Sequence, residues 1–308
     1  MSIRIHLIFS FFLINILGSV AQHDGSKLSL IIDADSANEL DDLFAIVRAL
    51  GEPRFNLLGI TSAQFHTSPY ASENTALESQ KINEKLMELL PMYAVPLLMG
   101  SGKPLQESNQ ASLSSASKFI IDQARSLPQG QKLDLVILGS CTNAASALLE
   151  APEIASKLRI SYIGFWHDPE TNEYNKKEFN TGNDPIATEI LLNFNGLEIQ
   201  VMTATTCQNL IFDKVTSFSK LRSNPLGKFL MNRWKIYKRW WTDEDPEQNH
   251  WIMWDLALIE ALINPGFAEK KSFQTPPENN KRAIQIYTSI DSLSMKVDFW
   301  QHFKTLTQ

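Results

Sequence analysis

The chain has 308 residues, 44% hydrophobic and 20% charged, with a formal net charge of −6 and a pI near 5.6. That is ordinary globular composition, enough to bury a large core, and it excludes extended disorder. The acidic balance and the lack of any basic run leave no electrostatic footprint for a nucleic acid polymer or an anionic membrane.

Residues 1–21 carry Arg4 and His6, an apolar run from Leu7 to Leu17, and the small-residue pattern Ser19-Val20-Ala21. This pattern predicts a cleaved signal peptide, because the apolar run is short for a membrane span. The mature chain, residues 22–308, is then expected as a single domain exported to a periplasm or secreted, with no membrane part.

Apolar β-type runs follow at residues 28–32, 55–61, 133–138, 160–165, 197–202 and 283–287. Helical periodicity occupies residues 39–50, 72–90, 113–126, 144–150, 185–193, 216–241, 255–263 and 298–306. The alternation predicts an α/β fold: an open, mostly parallel, Rossmann-like sheet with helices on both faces. Ligands of such sheets bind beyond the carboxyl ends of the strands. Asp33 and Asp35, the Gly139 to Asn143 segment, and the Phe165 to Asp168 segment all fall there. Cys141 and Cys207 are too far apart for a zinc site built on cysteine pairs and read as buried free thiols, with a disulfide left open.

The first of these segments carries the chemistry. Asp33, Asp35, Glu39, Asp41 and Asp42 put five carboxylates within ten residues, at the junction of an apolar strand and an amphipathic helix. Like charges packed there are costly unless a cation or tight hydrogen bonds neutralise them, and all-oxygen donors suit Ca²⁺ or Mg²⁺ better than zinc. Acids that merely complement a helix macrodipole would account for Glu39, Asp41 and Asp42 but not for Asp33 and Asp35.

The loop resembles the signature of the nucleoside hydrolase family, the inosine-uridine-preferring type, in which a strand ends in Asp-x-Asp and an Asp-Asp pair opens the next helix. Three later segments are similar in family order: Leu138-Gly139-Ser140-Cys141-Thr142-Asn143; Asn172, then Glu178-Phe179-Asn180, then Asp184-Pro185; and Trp254-Asp255 at the start of a late helix. The resemblance implies a nucleoside hydrolase fold and Ca²⁺ held by Asp35, Asp42, Asp255 and the Thr142 carbonyl. It also implies Asp35 as general base and Asp41, Asn172, Glu178 and Asn180 on the ribose hydroxyls. The implied reaction is hydrolysis of the N-glycosidic bond of a small riboside, in a homo-oligomer.

Two departures stand out. The acidic loop is two residues longer than the family's usual form, and Trp254 occupies the position of a histidine that protonates the leaving base. His66 is expected to contact ribose or to supply that proton, the former preferred, with His167 and His250 as further candidates. The tryptophans between Trp234 and Trp254 read either as core or as a base-stacking wall, with Trp254 the best stacking candidate. Phosphoryl-transfer enzymes of the haloacid-dehalogenase type share strand-Asp-x-Asp but give no reason for Glu178, Asn180 or Asp255. The rival from another class is a non-catalytic exported ribose- or nucleoside-binding relative that keeps the metal site.

Overall fold

Strand β1 (Leu28–Ala34) alternates its side chains between two separate apolar layers: Leu30, Ile32 and Ala34 enter one, Ile31 the other. This is the period-2 signature of a strand buried on both faces. Residues 27–307 are described by the computed structural model; the signal-peptide reading of residues 1–21 lies outside them.

With β1 in the same sheet run β2 (Phe55–Ser62), β3 (Leu97–Met99), β4 (Leu133–Ile137) and β5 (Leu158–Ile163), of which β4 is buried throughout and β3 only partly. A small ribbon pairs β6 (Trp166–Asp168) with β7 (Glu173–Asn175), ahead of β8 (Glu198–Met202). A second ribbon pairs β9 (Ile211–Asp213) with β10 (His250–Ile252), and β11 (Ala268–Gln274) and β12 (Ala283–Ile290) complete the main sheet. Its order is β11-β12-β8-β5-β4-β1-β2-β3, and only the β11–β12 pairing is antiparallel. From β1 the chain runs outward to β2 and β3, then returns to β4 on the other side, so the switch point lies between β1 and β4.

The helices are α1 (Asp41–Ala49), α2 (Thr75–Leu89), α3 (Ser115–Ser126), α4 (Thr142–Glu150), α5 (Phe179–Asn183), α6 (Pro185–Asn193), α7 (Ala204–Cys207), α8 (Lys214–Leu221), α9 (Pro225–Ile236), α10 (Trp254–Ile263) and α11 (Ser292–Leu306). One layer takes Phe44 of α1, Leu256 of α10 and Phe299 of α11; the other takes Ile120 of α3, Ala144 of α4 and Leu191 of α6. The parallel sheet with helices on both faces is therefore as expected.

Three element expectations need correction. The single helix expected at 216–241 is two helices, because the Asn224 side chain caps a new start at Pro225 and α9 ends at Ile236. The last helix begins six residues before 298, at Ser292, capped by Asp291. Strand β11 was not expected at all: it is a polar edge strand, mostly exposed.

Candidate active site

At the carboxyl ends of β1, β4, β5 and β8 lies a cavity of about 270 Å³. Its acidic wall comprises Asp35, Glu39, Asp41, Asp42, Asp255 and Glu178, with Asn38 and Asn180 beside them. Its aromatic wall comprises Trp166, Phe179, Trp240, Trp241 and Trp254.

Asp35 follows β1 directly, and its carbonyl accepts the Asn38 amide at 2.7 Å, which turns the chain toward α1. A glycine is required opposite: a Cβ on Gly139 would sit 2.7 Å from Asp35 Oδ1. Asp41 and Asp42 form the first turn of α1, and Asp255 the first turn of α10. The two helix starts are joined where the Asp255 amide donates to Asp41 Oδ2 at 3.1 Å. Oxygens of Asp41, Asp42 and Asp255 lie within 4.8 Å of one another; Asp35 lines the same cavity but is outside that trio.

Burial pushes each of these groups toward the protonated form. Asp41 rises to about 7 through desolvation, against the backbone amides that hydrogen-bond to it. Asp35, Asp42 and Asp255 rise well above the ordinary carboxylate range, by burial first and then by neighbouring charge, that of Asp41 for Asp35 and Asp255 and that of Asp35 for Asp42. Asp35 Oδ2, Asp41 Oδ1 and Asp42 Oδ1 are buried without a hydrogen-bond partner. Orphaned anionic oxygens at this density are what a hard divalent cation requires as donors, so the residues present fit such an ion.

The other acids are already engaged. Glu178 caps α5: Oε1 accepts from the Asn180 amide at 3.0 Å, and Oε2 from the Thr181 amide at 3.0 Å, the Thr181 hydroxyl at 2.7 Å and the Phe165 amide at 3.1 Å. Asn180 is fixed by donating Nδ2 to Leu138 O at 2.7 Å. Asp33 is buried and does not line the cavity; its Oδ1 accepts from Thr61 Oγ1 at 2.6 Å and Asn143 Nδ2 at 2.9 Å while Oδ2 has no partner, and burial pushes it up to about 6.

Of the residues expected at the site, Asp35, Asp41, Asp42, Glu178, Asn180, Trp254 and Asp255 meet in this cavity. Three do not line it. Asn172 sits in the β6–β7 turn with φ 58°, a conformation asparagine tolerates, and its side chain bonds to Gln274 O and His167 Nε2. His66 is exposed on a loop, its amide donating to Gln64 Oε1. Thr142 opens α4 and its hydroxyl donates to Asp184 Oδ2 at 2.6 Å, while the ligand expected from it is its carbonyl. His167 is packed against Tyr174 and Phe273, and no histidine is among the residues lining the cavity.

The tryptophan cluster divides. Trp234 and Trp251 are core, while Trp240, Trp241 and Trp254 face the cavity. Trp254 meets Trp166 edge-on at 5.9 Å between ring centroids, and Trp240 meets Phe179 at 5.4 Å. Trp240 and Trp241 belong to the tryptophans read either as core or as a base-stacking wall, whereas Trp166 and Phe179 have no assigned role in the sequence; the usable signal is a Trp just past a strand end and a Phe beside Glu178. Asn38 and Glu39 were also unassigned, and both line the cavity.

Comparison with known proteins gives a consistent picture. The sequence profile described as inosine-uridine preferring nucleoside hydrolase matches residues 30–301. Uridine nucleosidase 1 of Arabidopsis thaliana is 25% identical over 286 residues, covering 83% of this chain and 81% of the relative. The non-specific ribonucleoside hydrolase RihC of Salmonella enteritidis is 26% identical over 257 residues, covering 78% and 80%. Among solved structures, the purine-preferring ribonucleoside hydrolase from Gardnerella vaginalis superposes with a TM-score of 0.70 at 21% identity, over 90% of this chain and 98% of that one.

Proposed function

The chain belongs to the inosine-uridine preferring nucleoside hydrolase family, and on that premise we propose that it hydrolyses the N-glycosidic bond of ribonucleosides or related ribosides with the help of Ca²⁺. The observation that carries this reading is the set of buried, unpartnered oxygens on Asp35, Asp41 and Asp42 in a cavity whose other wall is aromatic.

Cleavage of a C–N glycosidic bond develops positive charge on the ribose ring. Carboxylates close to the ring stabilise that charge without reorganising. Asp42 and Asp255, common to the sequence-derived set and the observed trio, would hold the cation together with Asp35. Bound there, a divalent cation lowers the pKa of water and anchors the sugar diol. Asp35 Oδ2 is free to accept the proton from the attacking water. Asp41, whose Oδ2 is engaged by the Asp255 amide, has Oδ1 left to accept a ribose hydroxyl. Glu178 and Asn180, fixed by backbone contacts, would orient the ring from the other side. The departing base meets rings rather than an imidazole, so stacking on Trp254 and its neighbours would support departure. Export after cleavage behind Ala21 and assembly into a homo-oligomer belong to the same proposal; they rest on the leader pattern and on the resemblance.

The test is release of reducing sugar from inosine and uridine by the purified mature chain, with Ca²⁺ and with chelator. Ribose release that stops with chelator is expected. Tight ribose binding without turnover on a broad riboside panel would instead identify a binding protein.

A further inference from the structure

Between α9 and β10, residues 237–249 form an irregular segment that carries Trp240 and Trp241 to the cavity, each more than a third exposed (38% and 37%). The segment holds its shape through its own side chains. Arg239 donates Nη1 to His250 O at 3.1 Å and Nη2 to Glu244 O at 3.2 Å, and also bonds to the carbonyl and carboxylate of Asp245. Asp245, at φ 51°, answers by accepting the Asn249 amide at 2.9 Å and the His250 amide at 2.9 Å. Gln248 closes the ring by donating Nε2 to Tyr237 O at 2.6 Å.

The acidic loop docks both elements that flank this segment and its first residue, Tyr237. Arg233 Nη2 donates to Ala37 O at 3.2 Å, Trp251 Nε1 to Glu39 Oε1 at 3.2 Å, and Tyr237 OH lies 3.5 Å from Asn38 Oδ1. Asn38 and Glu39 belong to the stretch that is longer here than in the family's usual form. The additional length thus meets the aromatic segment.

We infer that Arg239 and Asp245 are positioning residues: through Trp240 and Trp241 they preset an aromatic platform for a planar heterocyclic leaving group, separately from the carboxylates that handle the sugar. This rests on the hydrolase reading above and deepens it. A guanidinium spanning three backbone carbonyls is not replaceable by an ammonium, because the fork geometry is lost. Preset rings spare the substrate the cost of ordering them, so the loss should fall on ligands that stack.

The experiment compares two ribosides on the full mature chain: inosine, and β-D-ribofuranosyl fluoride. In the second, water forms the C1′–O bond, the C1′–F bond breaks, and fluoride leaves without meeting a ring. For Arg239→Ala, Arg239→Lys and Asp245→Asn, the ratio of kcat/KM on inosine to that on the fluoride should fall about tenfold, the scale of losing one base–aromatic stack. Calorimetric titration with free hypoxanthine should weaken in parallel. The triple variant Arg239→Ala/Trp240→Ala/Trp241→Ala should be no worse than Trp240→Ala/Trp241→Ala, since Arg239 acts through these two rings. An unchanged ratio, a parallel fall on both substrates with hypoxanthine binding intact, or a further loss in the triple variant would overturn the assignment. If the wild-type chain hydrolyses neither riboside, the hydrolase reading fails, and the hypoxanthine titration still decides the platform by itself.

Discussion

Helices α1 and α10 pack side by side and carry buried acids at both of their ends, with opposite outcomes. At one end Asp41, Asp42 and Asp255 face Asp35 and Glu39 across the cavity, and none of these five makes an ion pair with a lysine or arginine among the described residues. At the other end the chain supplies its own cations. Arg48 binds Glu52 at 2.7 Å, Glu260 at 2.8 Å and Asp298, and Arg54 takes Glu52 from the far side at 2.6 Å. Glu52 is held down to about 2 by these two guanidiniums, which prevail over its burial. Glu260 is pushed up to about 8, because its complete burial outweighs Arg48. The fold-end acids are met by arginines from within the sequence, although Glu260 Oε2 stays unpartnered, whereas the cavity acids meet no such cation among the described residues.

The sharpest way to break this contrast is to neutralise one acid at each end. Asp35→Asn should lower kcat on inosine by about 10²–10⁴-fold, the usual contribution of a general base. In cation-free buffer the same variant should melt no lower than the wild type, because it removes a repulsion. A melting temperature lowered by Asp35→Asn would mean that the cavity acids hold the fold together.

Arg48→Met reverses the pattern. Removing one partner of a buried ionic network costs about 3–5 kcal/mol, since Glu260 stays buried without its cation while Glu52 keeps only Arg54. Chemical denaturation should show that loss. Ca²⁺ affinity by calorimetry should stay within twofold, for Arg48 contacts none of the cavity carboxylates.

Glu52 and the cavity acids should also respond oppositely to pH. A buried carboxyl whose folded pKa is raised binds its proton longer when folded than when unfolded, so stability falls as pH rises from the unfolded value toward the folded one. For Asp41 that window runs from about 4 to about 7. Without cation, the melting temperature should drop by about 5 °C between pH 5 and pH 7.5, a shift equivalent to roughly 2 kcal/mol in a domain of this size. Saturating Ca²⁺ should remove the cavity acids' share of the drop, contributing about 2.7 kcal/mol at a hundredfold excess over its Kd, whereas Glu260, pushed up to about 8, keeps its own share. Glu52 works in the opposite sense: its depressed pKa adds stability above pH 4.5 that is lost as pH falls toward 2.

The sequence made one of these ends much more legible than the other. An apolar strand running into Asp-x-Asp announces itself, because carboxylates at a buried strand end need a counter-charge. Arg48, Glu52 and Glu260 carry no such signal, since on a helix they read as solvated face, and only the packing of α1 on α10 and α11 reveals that they are buried. The sheet was readable because β1, β4 and β5 are rich in Leu and Ile; β11, polar and at the edge, offered no pattern. Spacing suggested that Asn172 joins Glu178 and Asn180, but the chain between them spends its length on the β6–β7 hairpin, which carries Asn172 away. Among the tryptophans residue type alone could not separate Trp251, in the core, from Trp254, in the cavity: α10 begins between their environments, and a three-residue step there crosses from inside to rim.

That boundary yields the smallest of the expected effects. Trp254 opens α10 immediately before Asp255, so its ring touches the cavity while its backbone lies in the turn that aims a carboxylate. Trp254→Phe keeps an aromatic face and the helix start but shortens the reach and loses the edge-on contact with Trp166 at 5.9 Å. An aromatic pair of this kind contributes about 0.5–1.5 kcal/mol beyond burial, equivalent to about two- to tenfold in kcat/KM. The change should therefore appear in the inosine-to-uridine ratio, because a purine covers more ring surface than a pyrimidine. Ca²⁺ affinity and the Arg48 end of the helix should be untouched. If Trp254→Phe altered cation affinity and left the base ratio as it was, Trp254 would belong to the scaffold of Asp255 and not to the wall that receives the base.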